Sequence, residues 1–218
     1  MHFRTIGDTA ICITLGPGDP RPQDFAEALR GVSVPGLVDA FAAFDTVSIV
    51  YEPAELTTDD PIAWWTEYAR RTAASLTSGA MPETATLIEL PVAYGGEDGP
   101  DLVALAWSLA LSTHDLIDRH AAATYTVTAV GFVPGFAYLD GLPTGLHAAR
   151  RSTPRVRVPA GSVAIGGPYT GVYPVDSPGG WHLIGRTPRR LFDPADPSAT
   201  PWRVGDRVKF VPQPGLRT

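Results

Sequence analysis

Three features of this 218-residue chain predict an α+β fold in two parts, a small N-terminal α/β unit followed by a larger one made mainly of short strands. Strand and helix signals alternate over the first 80 residues. A small, polar stretch broken by Gly and Pro follows, Thr77-Ser78-Gly79-Ala80-Met81-Pro82. From Tyr125 onward, short apolar runs recur between glycines and prolines, the pattern of a barrel or sandwich. The length allows each part its own core without disulfide or metal staples, so the units are placed at residues 1–80 and 86–218.

Each element follows from a local pattern. Thr9-Ala10-Ile11-Cys12-Ile13-Thr14-Leu15 is apolar and partly β-branched, and reads as a strand stopped by Gly16-Pro17-Gly18. Asp24 to Arg30 suits a short helix, and Thr46 to Tyr51 a second strand stopped by Glu52-Pro53. Asp59 or Asp60 caps a helix with Pro61 in its first turn, running through Trp64, Trp65, Tyr68 and Ala69 toward Leu76. The second unit opens on a strand from Thr86 to Val92. Asp101 caps a helix from Leu102 to Leu111, and Ser112-x-x-Asp115 resembles a capping box for a helix through Leu116, Ile117 and His120. Further strands are expected at Tyr125–Val130, Arg155–Val158, Val163–Ile165, Gly171–Val175, Trp181–Arg186 and Arg207–Val211.

Composition narrows the function classes. The net charge of −6 weighs against nucleic-acid binding, which needs clustered cations. Residues 1–85 hold twelve acidic and five basic side chains (−7), whereas residues 86–218 hold eleven and twelve (+1), so a small anion belongs with the second unit. Lys209 is the only lysine and lies outside any P-loop string, which argues against a self-contained nucleotide site and against Schiff-base chemistry. The single Cys12 cannot form an intramolecular disulfide. The N-terminus lacks signal-peptide character and no apolar run is long enough for a membrane span, so a soluble, cytoplasmic protein with no membrane contact is expected. No H-E-x-x-H, C-x-x-C or histidine pair supports a metal site, and no G-x-S-x-G elbow supports a serine nucleophile.

The residues able to carry chemistry lie between His120 and Thr187. Pro134-Gly135 has the order of a type II turn, with Phe132, Phe136 and Tyr138 around it, suited to walling a pocket or to plain core packing. Arg150, Arg151, Arg155 and Arg157 follow without an acid between them. In an extended strand Arg155 and Arg157 share one face, about 7 Å apart, with Val156 and Val158 on the other; such a pair suits either a bidentate anion clamp or a solvated edge. His182 and Arg186 share a face of their strand, opposite Trp181 and Leu183. His120 falls on the apolar face of its helix, where a hydrogen-bonded core histidine is the ordinary outcome.

The strings themselves are recognisable. GFVPGFAYLDGLP, TPRVRVPAGSVAIGG, TGVYPVDSPGGWHLIGRTP and RLFDP, together with LPVAYGGEDGPDL and IGDTAICITLG, resemble in order and spacing the family of 5-oxoprolinase B subunits, also labelled allophanate hydrolase subunit 1. The resemblance implies a small N-terminal α/β domain and a cyclophilin-like β-barrel domain carrying the active site. It implies assembly with a homologous barrel partner, the C-type subunit, and with a separate A-type subunit. Together these would form an amidohydrolase that uses ATP, with Mg as its companion, to open 5-oxo-L-proline to L-glutamate. The nucleotide is expected partly or wholly on a partner. In that light His120, Arg155 and Arg157 are the catalytic candidates. Phe132, Pro134, Gly135, Phe136, Tyr138, Ser162, Ser177, Gly180, Trp181 and Arg186 are the substrate-binding candidates, and no metal ligand is assigned. Related branches open two alternatives, a regulatory protein inhibiting a histidine kinase and a subunit of a urea or allophanate carboxyl-transfer system.

Overall fold

The computed structural model describes residues 1–16, 21–76, 85–196 and 200–213. The expected linker at 77–82 and most of the turn at 16–18 lie outside the described residues. The chain divides into two compact units, Met1–Thr84 and Ala85–Thr218.

The first unit runs β1 (His2–Ile6), β2 (Ala10–Thr14), α1 (Pro22–Arg30), β3 (Leu37–Ala43), β4 (Thr46–Tyr51) and α2 (Pro61–Ser75). Its strands form an antiparallel sheet in the order β1-β2-β4-β3. Alternation aims Ile11, Ile13, Val47, Ile49 and Tyr51 at one face. That face is covered by Phe25, Ala26 and Leu29 of α1 and by Trp65, Ala69 and Ala73 of α2, each set at helical spacing. The Asp60 carboxylate accepts the Ala63 N–H at 2.9 Å and starts α2, with Pro61 at its first position. Strands β1 and β3 went unread in the sequence. They are the sheet's edges, so β1 buries no side chain fully and a register shift between Leu37 and Asp39 interrupts the alternation of β3.

The second unit runs β5 (Leu87–Tyr94), α3 (Leu102–Ser108), α4 (Thr113–Ala122), β6 (Tyr125–Val130), β7 (Ala137–Asp140), β8 (Arg155–Val158), β9 (Ser162–Gly166), β10 (Tyr169–Val172), β11 (Ser177–Gly179), β12 (His182–Arg186) and β13 (Arg207–Pro212). Seven strands close into a barrel in the order β10-β7-β6-β13-β5-β12-β9, which bears out the α+β expectation. Closure depends on β13, which lies parallel to β5 and antiparallel to β6. The interior is filled by inward members of each strand, among them Leu90, Val92, Val127, Leu139, Val163 and Phe210, each worth roughly 1.5–3 kcal/mol on burial. Ser112 caps α4 as expected, its Oγ accepting the Asp115 N–H at 3.0 Å.

Three local expectations are corrected. Helix α3 ends at Ser108 rather than Leu111, with Ala110 in the left-handed region at φ 54°. Asp101 makes no side-chain cap for that helix, because its carboxylate is engaged elsewhere. Strand β8 stands outside the barrel in a two-stranded ribbon with β11, so Val156 is 92% exposed and only Val158 reaches an apolar cluster. A lone ribbon has no continuous covered face for the alternation to match.

Candidate functional site

A second apolar cluster lies on the other side of the barrel wall. Along β9, Val163 and Ile165 belong to the interior, whereas Ala164 between them packs with Phe136, Val158, Tyr173, Trp181 and Leu183. Strand alternation therefore puts these aromatics outside the barrel. Glycine makes room for them, since a Cβ at Gly166 would stand 2.5 Å from the Trp181 ring.

A cleft of about 290 Å³ opens on this aromatic layer. Its walls include Phe132, Phe136, Tyr138, Tyr173 and Trp181. Phe136 meets Tyr138, Tyr173 and Trp181 edge-on at centroid distances of 5.0, 5.3 and 5.5 Å, the geometry that aromatic quadrupoles favour. The remaining lining comes from Arg150, Arg151, Pro154, Pro178, Gly179 and Gly180.

The Phe132 side is set by the turn read in the sequence. The Phe136 N–H donates to the Val133 carbonyl at 3.0 Å across Pro134-Gly135, and Gly135 takes the φ of 80° that the second central position of a type II turn requires. Phe132 itself has φ 80° and is 60% exposed. A bulky residue in that backbone region is strained, and it holds an apolar ring at the cleft.

The cationic side has an anchor that sequence reasoning missed. Asp101 is 6% exposed. Its Oδ1 accepts from Arg155 Nη2 at 2.7 Å and from Arg151 Nη1 at 3.1 Å, while Oδ2 accepts the Leu183 N–H at 2.8 Å. Burial pushes the Asp101 carboxyl up, but the Arg155 hydrogen bond, the Leu183 N–H and the two guanidinium charges together leave it below the usual carboxylate range. The Arg151 N–H donates to the Gly180 carbonyl at 2.8 Å, tying the arginine segment to the opposite lip. Arg150 lies over the Trp181 ring at 5.9 Å.

Of the substrate-binding candidates, Phe132, Phe136, Tyr138, Gly180 and Trp181 meet at the cleft, with Pro134 and Gly135 shaping its turn. Ser162 is buried at the start of β9 and Ser177 in β11, away from the lining. Arg186 is exposed, donating to the Ala160 carbonyl and lying 3.8 Å from Asp98.

The catalytic candidates do not come together. Arg155 and Arg157 form no joint clamp, for Arg155 binds Asp101 whereas Arg157 is exposed and pairs through Nε with Asp176 at 2.8 Å. His120 is fully buried in the barrel interior against Phe210. Thr170 Oγ1 donates to the Ala164 carbonyl at 2.9 Å and therefore accepts from His120 Nε2 at 2.8 Å, which leaves Nδ1 to accept the Tyr94 hydroxyl at 2.8 Å. Burial pushes its pKa down to about 3. It is thus a neutral imidazole with both nitrogens occupied, across the barrel wall from the cleft.

Arg150, Arg151, Tyr173 and Asp101 were the omissions. The two arginines stood in the cationic string, but strand alternation drew attention to Arg155 and Arg157. Asp101 carried only a helix-cap signal, because its partners are 50, 54 and 82 residues away.

The first unit has its own cleft of about 410 Å³, beside Trp64, Tyr68 and Asp60. Although larger, it offers no free charge among its described lining residues, since Glu67 pairs with Arg71 and Asp60 is spent on capping α2.

The family model of the carboxyltransferase domain, subdomain C and D, matches residues 1–202, so the chain belongs to that family. More narrowly, the chain belongs to the family of 5-oxoprolinase B subunits. It is 41% identical to the 5-oxoprolinase B subunit of Escherichia coli O157:H7 over 95% of this chain and 94% of that one. With the 5-oxoprolinase B subunit of Bacillus subtilis (strain 168) it shares 36% identity, over 96% and 92% of the two chains. The crystal structure of TTHA0988 superposes with a TM-score of 0.78 at 33% identity; the match takes in 94% of this chain and 40% of that longer one.

Proposed function

We propose that this chain is the barrel subunit of an ATP-dependent 5-oxoprolinase, acting with a homologous C-type subunit and with a separate A-type subunit, and that its aromatic cleft receives 5-oxo-L-proline. The observation that carries the reading is an apolar cleft of small-molecule size edged by Arg150 and Arg151, with Asp101 beneath. A lactam resists hydrolysis because its amide is resonance-stabilised. Its ring suits the aromatic walls, and the arginines supply fixed positive charge where oxygen becomes anionic.

The residues here do not fit a complete nucleotide site. Lys209 lies in β13 opposite Glu89, and among the described residues no three His, Cys, Asp or Glu side chains gather as metal ligands. On this reading ATP, with Mg, is held partly or wholly by the partner subunits, and this chain's part is to bind the substrate, orient it and exclude water. The test is 5-oxoproline-dependent ADP release by the reconstituted subunits and by this chain alone. Release by the complete set and none by the chain is expected; substantial turnover by the chain alone overturns this division of labour.

The family's carboxyltransferase description favours one second reading, a subunit of a urea or allophanate carboxyl-transfer system. Urea-dependent activity with a biotin-carrying partner, and no response to 5-oxoproline, would select it.

A further inference from the structure

The described cations at the cleft outnumber the anions. Arg150 and Arg151 line it without an acidic side chain among the lining residues, and behind them Arg151 shares the single carboxylate of Asp101 with Arg155. No acidic side chain pairs with Arg150 among the described residues. Arg151 Nε and Arg155 Nη1 are buried yet without hydrogen-bond partners. Buried guanidinium donors left unpaired cost free energy, and a group that accepts from them recovers it. The walls against which Arg150 and Arg151 stand are aromatic.

We propose that Arg150 and Arg151 form a carboxylate-recognition element, so that the cleft selects small carboxylic acids with a compact apolar body, and that Asp101 is the positioning residue that holds Arg151. This rests on the cleft's being the substrate site of the proposed function. It adds that specificity lies in the carboxylate of 5-oxoproline rather than in its lactam. Asp101 suits its role because one oxygen holds two guanidiniums while the other is fixed to the backbone of β12. Arg151 and Arg155 are thereby oriented by one carboxylate that offsets only one of their two charges.

The test is calorimetric titration of the full-length chain with three probes: 5-oxo-L-proline, cyclopentanecarboxylate (no lactam) and 2-pyrrolidinone (no carboxylate). Both carboxylates are expected to bind at least about tenfold more tightly than 2-pyrrolidinone, and Arg150→Met to remove that preference at an unchanged melting temperature. Arg151→Met is the second variant, read together with its melting curve because it also frees Asp101. Equal binding of all three probes, or an unchanged preference in Arg150→Met, overturns the proposal. The two readings fail separately. Carboxylate-selective binding that depends on Arg150, with no 5-oxoproline-driven ADP release by the assembly, supports the subsite and removes the 5-oxoprolinase assignment. ADP release with an unchanged KM in Arg150→Met does the reverse.

Discussion

A histidine enclosed in an apolar barrel stays neutral because the wall cannot solvate its charge, and in His120 this neutrality makes stability depend on pH. Unfolded, it titrates near 6.5; folded, only at about 3. Between these values the unfolded chain binds a proton that the folded chain does not, so acid favours unfolding. Its contribution is complete above pH 6.5 and falls by about 1.4 kcal/mol for each unit that the pH drops toward 3. Urea midpoints measured from pH 7 to 4 for wild type and His120→Phe check this: the variant should lose about one proton's worth of slope, and equal slopes contradict the placement. Asp101 is the other buried ionisable group on which much rests. Asp101→Ala leaves Arg151 and Arg155 without their shared acceptor and should cost about 3 kcal/mol in chemical denaturation. Arg157, by contrast, meets only exposed Asp176 among the described residues. Arg157→Ala should keep 5-oxoproline turnover by the assembly within about twofold of wild type.

At the scale of elements, β8 and β9 separate what alternation can and cannot say. On β9, Ala164 and its neighbours face different clusters because the strand sits in a wall covered on both sides. On β8 the same reading misplaced Val156, since the cluster that buries Val158 does not extend to it. Val156→Thr should therefore change stability by less than about 0.5 kcal/mol, whereas Val158→Ala should cost roughly 2 kcal/mol, both measurable by urea unfolding. The floor of the cleft makes a second element-level prediction. A methyl group at Gly166 must displace the Trp181 ring, because the strand backbone cannot yield without breaking its pairing with β10 and β12. Gly166→Ala should raise KM for 5-oxoproline by about tenfold or more, with a smaller effect on kcat. Strand β7 was missed for the opposite reason to Val156: four residues bounded by turn signals carry too short an alternation to read, though pairing with β6 and β10 holds them extended.

For the molecule as a whole, the sequence determined the class, the family and much of the cleft. Binary pattern and turn residues are local quantities, and long strings such as GFVPGFAYLDGLP carry their order intact. Thus the α+β architecture, the Pro134-Gly135 turn and the aromatic wall of Phe132, Phe136, Tyr138 and Trp181 were all legible. The sequence holds no P-loop string, and this underlies the expectation that turnover requires partner subunits. Only the tertiary structure decided which charges act together. Barrel closure through β13 enclosed His120, while return of the chain after β7 brought Arg151 and Arg155 onto Asp101 from 50 and 54 residues away. A guanidinium's role depends on the nearest carboxylate in space, and on whether water reaches both. Spacing along a chain determines neither until the barrel has closed, which is why His120, Arg155 and Arg157 do not meet, while Arg150 and Arg151 line the cleft and Asp101 holds Arg151.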